Sequence, residues 1–143
     1  MKKSLKTIAA VVCAALTLCL TGCQKDPEDL IIGTWSEDEI TYTLTQGGST
    51  MTLPMTEPGE TTEITFKEDK TYTSIYHSVD GDAEGSGTWS ITGNTITFTD
   101  EFGPVAYNID KLDKKVCQLS YTETDEDEDG PFTATIVIKM TRK

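Results

Sequence analysis

Residues 85–100 read "GSGTWSITGNTITFTD". Gly93-Asn94 is a two-residue hairpin signal of the type I′ kind, and strands paired about it set Ile91 opposite Ile96 and Trp89 opposite Phe98. Those four side chains share one face, while Thr95, Thr97 and Thr99 take the other. An aromatic cross-strand pair of this kind contributes about 0.5 to 1 kcal/mol beyond its burial. A dry face backed by a threonine-rich one is the signature of antiparallel sheet wetted on one side.

The tetrapeptide GTWS at 87–90 also stands at 33–36, where it runs into "EDEITYTLT" (37–45). There Ile40, Tyr42 and Leu44 alternate with Thr41, Thr43 and Thr45. Both copies are therefore expected to place a tryptophan at the head of a hairpin, "EDE" being the turn of the first. The glycine two residues before each indole would leave room for it over a neighbouring strand. The alternation continues to the last segment, where Phe132, Ala134, Ile136, Ile138 and Met140 oppose Thr133, Thr135, Val137, Lys139 and Thr141. Strands are expected near 31–36, 40–45, 50–56, 62–68, 71–78, 86–92, 95–99, 104–110, 116–123 and 132–141. Reversals are expected at "QGGS" (46–49), "KEDK" (67–70), "DGDAEG" (80–85) and "DEDEDG" (125–130). The expected fold is all-β, a single antiparallel up-and-down barrel of about 8 to 10 strands without a substantial helix in the mature domain.

The N-terminal residues have a different character. Lys2, Lys3 and Lys6 precede an apolar run at 7–20, shorter than the roughly 20 residues that span a bilayer, and "LTGC" (20–23) follows. That order of charge, apolar core and small residues before a cysteine resembles a bacterial lipoprotein signal. The resemblance implies a signal peptide over 1–22, lipidation of Cys23 and attachment to the outer membrane. "QKDPED" (24–29) resembles the lysine-and-acid export tag of surface lipoproteins of the Bacteroidota, which assigns Gln24, Lys25, Asp26, Glu28 and Asp29 to the tag and implies cell-surface exposure. Residues 23–30 are read as an acidic tether and 31–143 as one domain.

The 143 residues carry 12 basic and 24 acidic side chains, a net charge of −12. Without the first 22 residues, 9 basic groups face the same 24 acids. Such a surface repels phosphate backbones, which argues against nucleic acid as a partner. Cys13 and Cys19 leave with the signal and Cys23 carries lipid, so Cys117 is the remaining thiol. The fold must rest on packing rather than on a disulfide.

Little in the sequence suggests catalysis. His77, the single histidine, lies in "SIYHSV" (74–79) and is read as a surface strand residue; one histidine and one thiol cannot build a zinc cage. There is no glycine-rich phosphate loop opening a helix. The protein is expected not to be an enzyme and to use no cofactor. Asp125, Asp127, Asp129 and Gly130 reproduce the start of an EF-hand loop, but position 12 falls on Ile136 and Pro131 follows the glycine. These acids are read as a charged hairpin tip, with weak calcium binding as the alternative.

Three stretches, "LIIGTW" (30–35), "GSGTWSITGNTITFTD" and "AYNIDKLDKKVCQLSYT" (106–122), together resemble the lipocalin-like domains of Bacteroidota lipoproteins. The resemblance extends over most of 30–141. It implies that Gly33 and Trp35 close the barrel floor, with an arginine from a late strand over the indole; Arg142 has the required parity. No Thr-Asp-Tyr motif and no helix after the last strand accompany the match. An eight-stranded lumen is either filled by side chains or holds one small ligand. Tyr42, Met51, Met55, Tyr107 and Tyr121, all on the dry parity, are the candidates to line it. Apolar walls with a few phenols suit a small lipophilic ligand. With Arg142 the sole inward cation, a neutral molecule is expected to bind better than a fatty acid. The alternative is a surface interaction protein with a filled barrel, whose exterior meets a protein or glycan partner.

Overall fold

The computed structural model describes residues 25–143. Cys23, Gln24 and the segment read as a signal lie outside the described residues. A single turn of helix, α1 (Pro27–Ile31), precedes nine strands: β1 (Gly33–Gln46), β2 (Ser49–Pro54), β3 (Thr61–Phe66), β4 (Thr71–Ser78), β5 (Gly81–Thr92), β6 (Thr95–Asp100), β7 (Gly103–Leu112), β8 (Val116–Asp127) and β9 (Gly130–Arg142). All pair antiparallel in the order β2-β1-β3-β4-β5-β6-β7-β8-β9, and β1 pairs again with β9. That last pairing closes an eight-stranded ring of β1 and β3–β9, with β2 outside it.

β1 makes both arrangements possible. Its first half pairs with β3, from Gly33 opposite Phe66 to Glu37 opposite Thr62. Its second half pairs on that same edge with β2, from Thr41 opposite Pro54 to Gln46 opposite Ser49. Along its other edge β9 runs nearly the whole length, with a register break between Glu37 and Glu39. A bulge adds twist and re-aims a strand, and here it falls where β1 changes partner.

The hairpin about Gly93-Asn94 has the expected register, Ile91 on Ile96 and Trp89 on Phe98. Elsewhere the structure corrects the reading. "EDE" is no turn: the strands expected at 31–36 and 40–45 are one, since the acids find partners on β9. Asp38 accepts from the Thr141 hydroxyl at 3.1 Å, and Glu39 pairs with Lys139 at 2.7 Å. Tertiary pairing overrides the low strand propensity of Asp and Glu. "DGDAEG" is no loop either. The reversal is confined to Val79-Asp80, and β5 begins at Gly81 because β4 pairs with it up to Ser78 opposite Gly81. In the same way β8 and β9 extend through most of "DEDEDG" to pair Asp127 with Gly130.

The core occupies one end. Ile31, Trp35, Phe66, Trp89, Ile96, Ile109, Cys117, Leu119 and Met140 are buried, and all lie toward the end that α1 covers. The stretch read as an acidic tether thus carries part of the fold. Asp26 caps α1, accepting from the Glu28 amide at 3.0 Å; Glu28 pairs with Lys70 at 2.7 Å; Ile31 is fully buried. At the opposite end the strands splay. β5 leaves β6 above Thr88, and the upper parts of β8, β9, β1 and β2 form a separate ribbon.

The candidate binding site is the barrel lumen

The floor is built from the two tryptophans. Each indole N–H donates to a backbone carbonyl, Trp35 to Ile31 at 2.7 Å and Trp89 to Thr71 at 3.1 Å. Each ring also carries a cation over its face, Arg142 at 4.4 Å from the Trp35 centroid and Lys70 at 4.3 Å from that of Trp89. The repeated GTWS therefore makes two corners of one floor, and its second copy also leads the hairpin about Gly93-Asn94 as expected.

Arg142 does more than cover a ring. Its guanidinium donates to the carbonyls of Leu30, Ile32 and Lys114, joining the end of α1 to the turn between β7 and β8. Gly33, at φ +131, lies where any β-carbon would strike that guanidinium. Gly87 admits the backbone of Thr99 and, 2.9 Å from where its β-carbon would be, the ring of Tyr72. The two glycines make room for these groups, not for indoles as the sequence reading had it.

Above the floor an aromatic ladder climbs the wall. Phe66 meets Trp89 edge-on at 5.9 Å, Phe98 lies 5.7 Å from Phe66, and Tyr72 and Tyr107 meet Phe98 at 5.4 and 5.7 Å. Tyr72, Phe98 and Tyr107 of this ladder line a cavity of about 270 Å³ whose other apolar walls are Ile64, Val105, Leu119, Ile138 and Met140. It approaches the lower end of the range usual for small-molecule pockets. A wider, more polar depression of about 870 Å³ lies between upper β4–β5 and the turn after β6, sharing Tyr72, Ser74 and Asp100 with the cavity. It forms a vestibule adjoining the chamber; both are open to solvent, and the smaller one has the more apolar walls.

The polar groups of the chamber are few. Glu37 enters from β1 beside Thr62 of β3, and Asp100 stands at the end of β6. Burial raises the Glu37 carboxyl above its ordinary value of 4.5, partly offset by the Thr62 hydroxyl. Burial also raises Tyr107, reinforced by the charge of Glu37, and Tyr72, reinforced by Asp100. Both phenols stay neutral at physiological pH, able to donate and to accept.

Of the residues expected to line the lumen, Tyr107 does. Tyr121 stands 6.1 Å from Tyr107, outside the chamber wall, and turns its hydroxyl to Glu123 at 3.4 Å. Met55 borders a separate niche of about 40 Å³ with Ile40 and Tyr76. Tyr42 and Met51 belong to the outer ribbon, Met51 being half exposed. For Met51 the cause is that β2 lies outside the closed ring, so its alternation faces the open upper ribbon; Tyr42 and Tyr121 lie on the upper parts of β1 and β8, which join that ribbon. Glu37, Tyr72, Phe98 and Asp100 were the residues missed as contacts. Parity could have found the acids, because Glu37 is two residues after Trp35 and Asp100 two after Phe98.

The remaining chemistry-bearing groups are placed as follows. Cys117 is fully buried, and burial pushes its thiol up to about 12. His77 faces Asp82 across the β4–β5 pair at 2.9 Å. Asp127 accepts from the Asp129 amide at 2.8 Å and from Gln46 at 2.7 Å, and Asp125 from the Glu126 amide at 2.8 Å. Those carboxylates serve the hairpin, and among the described residues no cluster of three or more ligating groups is arranged to hold a metal.

Comparison with known proteins agrees with this architecture. The profile of the lipocalin-like domain matches residues 31–136, and the chain belongs to that family. Among solved structures, an uncharacterized protein from Bacteroides eggerthii DSM 20697 superposes with a TM-score of 0.50 at 10% identity, over 79% of this chain and 99% of that one. A lipocalin-like protein from Bacteroides uniformis ATCC 8492 has a TM-score of 0.45 at 14% identity, over 79% and 97%. No curated protein matches the chain. The lipocalin-like barrel is typically a binding fold.

Proposed function

We propose that this protein is a non-catalytic outer-membrane lipoprotein, anchored through Cys23 and displayed outward, whose barrel receives a small lipophilic ligand. The observation that carries the reading is the chamber of about 270 Å³, walled by the rings of Tyr72, Phe98 and Tyr107 and open to solvent. It gives an apolar molecule a dry wall and leaves phenols for its polar end.

Titrating 4-phenylbutan-1-ol into the protein in lipid nanodiscs, with empty nanodiscs as the blank, tests the lumen. A Kd of about 100 μM or tighter is expected, weakened at least about tenfold in Val105→Trp, which fills the mouth where Val105 is half exposed. No heat from the parent protein would favour the second reading, a surface interaction protein. The half-exposed Met51 and Leu53 on β2 give that reading its own observation. The anchor has a separate test: Cys23→Ser should move the protein out of the detergent-rich phase.

A further inference from the structure

The charge lining the lumen has one sign. In the chamber the charged residues are Glu37 and Asp100; in the vestibule, Glu84, Asp100 and Glu101; in the small niche, Glu37 and Glu60. No Lys, Arg or His borders any of the three. The nearest inward cation, Arg142, is committed to three carbonyls beneath the floor. Among the described residues Glu37 takes part in no ion pair, whereas its neighbour Glu39 is matched to Lys139.

A partly buried acid set between Thr62 of β3 and Met140 of β9, its charge felt by Tyr107 and matched by no counter-charge among the described residues, is a costly arrangement for a merely filled barrel. The same acid, lining one chamber with the rings of Tyr72, Phe98 and Tyr107, meets both demands of an organic ammonium. It supplies a charge-assisted acceptor, and the ring faces attract the cation. The volume, about that of nine liquid waters, admits one ring and a short chain.

We infer that the lumen selects a lipophilic amine, its ammonium group on the Glu37 carboxylate and its apolar part along Tyr72, Phe98 and Leu119. This deepens the carrier reading and rests on it. It also revises the expectation of a neutral ligand, which overlooked the inward carboxylate.

Three probes of equal length separate the possibilities: 4-phenylbutylammonium, 4-phenylbutan-1-ol and 4-phenylbutanoate, titrated at pH 7.5 into the full chain in nanodiscs against an empty-nanodisc blank. The ammonium is expected to bind about tenfold tighter than the alcohol, the ratio one charge-assisted hydrogen bond supplies, and the carboxylate weakest. Glu37→Gln should bring ammonium and alcohol within about twofold of each other; Asp100→Asn should keep the preference. Equal binding of ammonium and alcohol to the parent protein overturns the amine inference and leaves the carrier reading intact. Loss of the preference in Asp100→Asn but not in Glu37→Gln overturns the assignment to Glu37. Binding of none of the three overturns carrier and inference together.

Discussion

At the scale of single residues, Glu37, Arg142 and Lys70 carry most of the physics. Glu37 has a folded-state pKa above its unfolded value, so folding favours its protonated form. The stabilisation this gives is complete below about pH 4.5 and is lost as pH rises through the folded value. Removing the charge should therefore help most where the charge exists. Glu37→Gln is expected to melt higher than the parent protein at pH 7.5, with the advantage shrinking toward pH 4; a variant that melts lower at pH 7.5 would contradict the burial. Arg142 and Lys70 allow a paired comparison, since each lies over a tryptophan. Arg142→Ala leaves three carbonyls without their donor and should cost about 2 to 3 kcal/mol in denaturant unfolding. Lys70, with a side chain 42% exposed, should cost under about 1 kcal/mol. Equal costs would mean that the carbonyl contacts add nothing.

At the scale of elements, the ring and its appendage should differ in stability. Every residue of β2 is exposed and the strand pairs on one edge only, whereas β9 pairs on both edges along its length. Hydrogen exchange is expected to release the β2 amides, together with the end of β1 that pairs with them, well before the amides of β9 opposite β8. Simultaneous exchange would make β2 part of the cooperative core. The contrast also shows what could be read from the chain. The 93–94 hairpin was legible because its turn, register and dry face are local. The continuity of β1 was not: nothing between Ser36 and Ile40 announces that Lys139 and Thr141 wait on a strand a hundred residues away. The position of β2 failed for the same reason. Its alternation is real, but the face read as dry is half exposed at Met51 and Leu53, because which face looks into the ring depends on closure. Arg142 over Trp35 follows from the family resemblance; Glu37 is open to simple parity, but the composition of "EDE" points to a turn instead.

At the scale of the whole molecule, the barrel is a cup with a packed floor, a narrow aromatic chamber and splayed upper walls. The floor concentrates the buried core at one end, which frees the other from having to be filled. The exterior offers a contrasting surface, rows of threonines paired across strands, as in Thr43 with Thr52 at 3.1 Å and Thr122 with Thr135 at 3.1 Å. Those hydroxyls bond to each other. The chamber is where polar and aromatic groups face unoccupied volume, and it is the part of the molecule on which the functional account depends. The most direct test is NMR chemical-shift mapping of 4-phenylbutan-1-ol on the isotope-labelled protein. The largest shifts are expected at Tyr72, Phe98, Tyr107, Leu119 and Ile138, with Thr43, Thr122 and Met51 unmoved; shifts confined to the threonine rows or the β2 ribbon, with the chamber silent, would contradict a ligand-binding lumen.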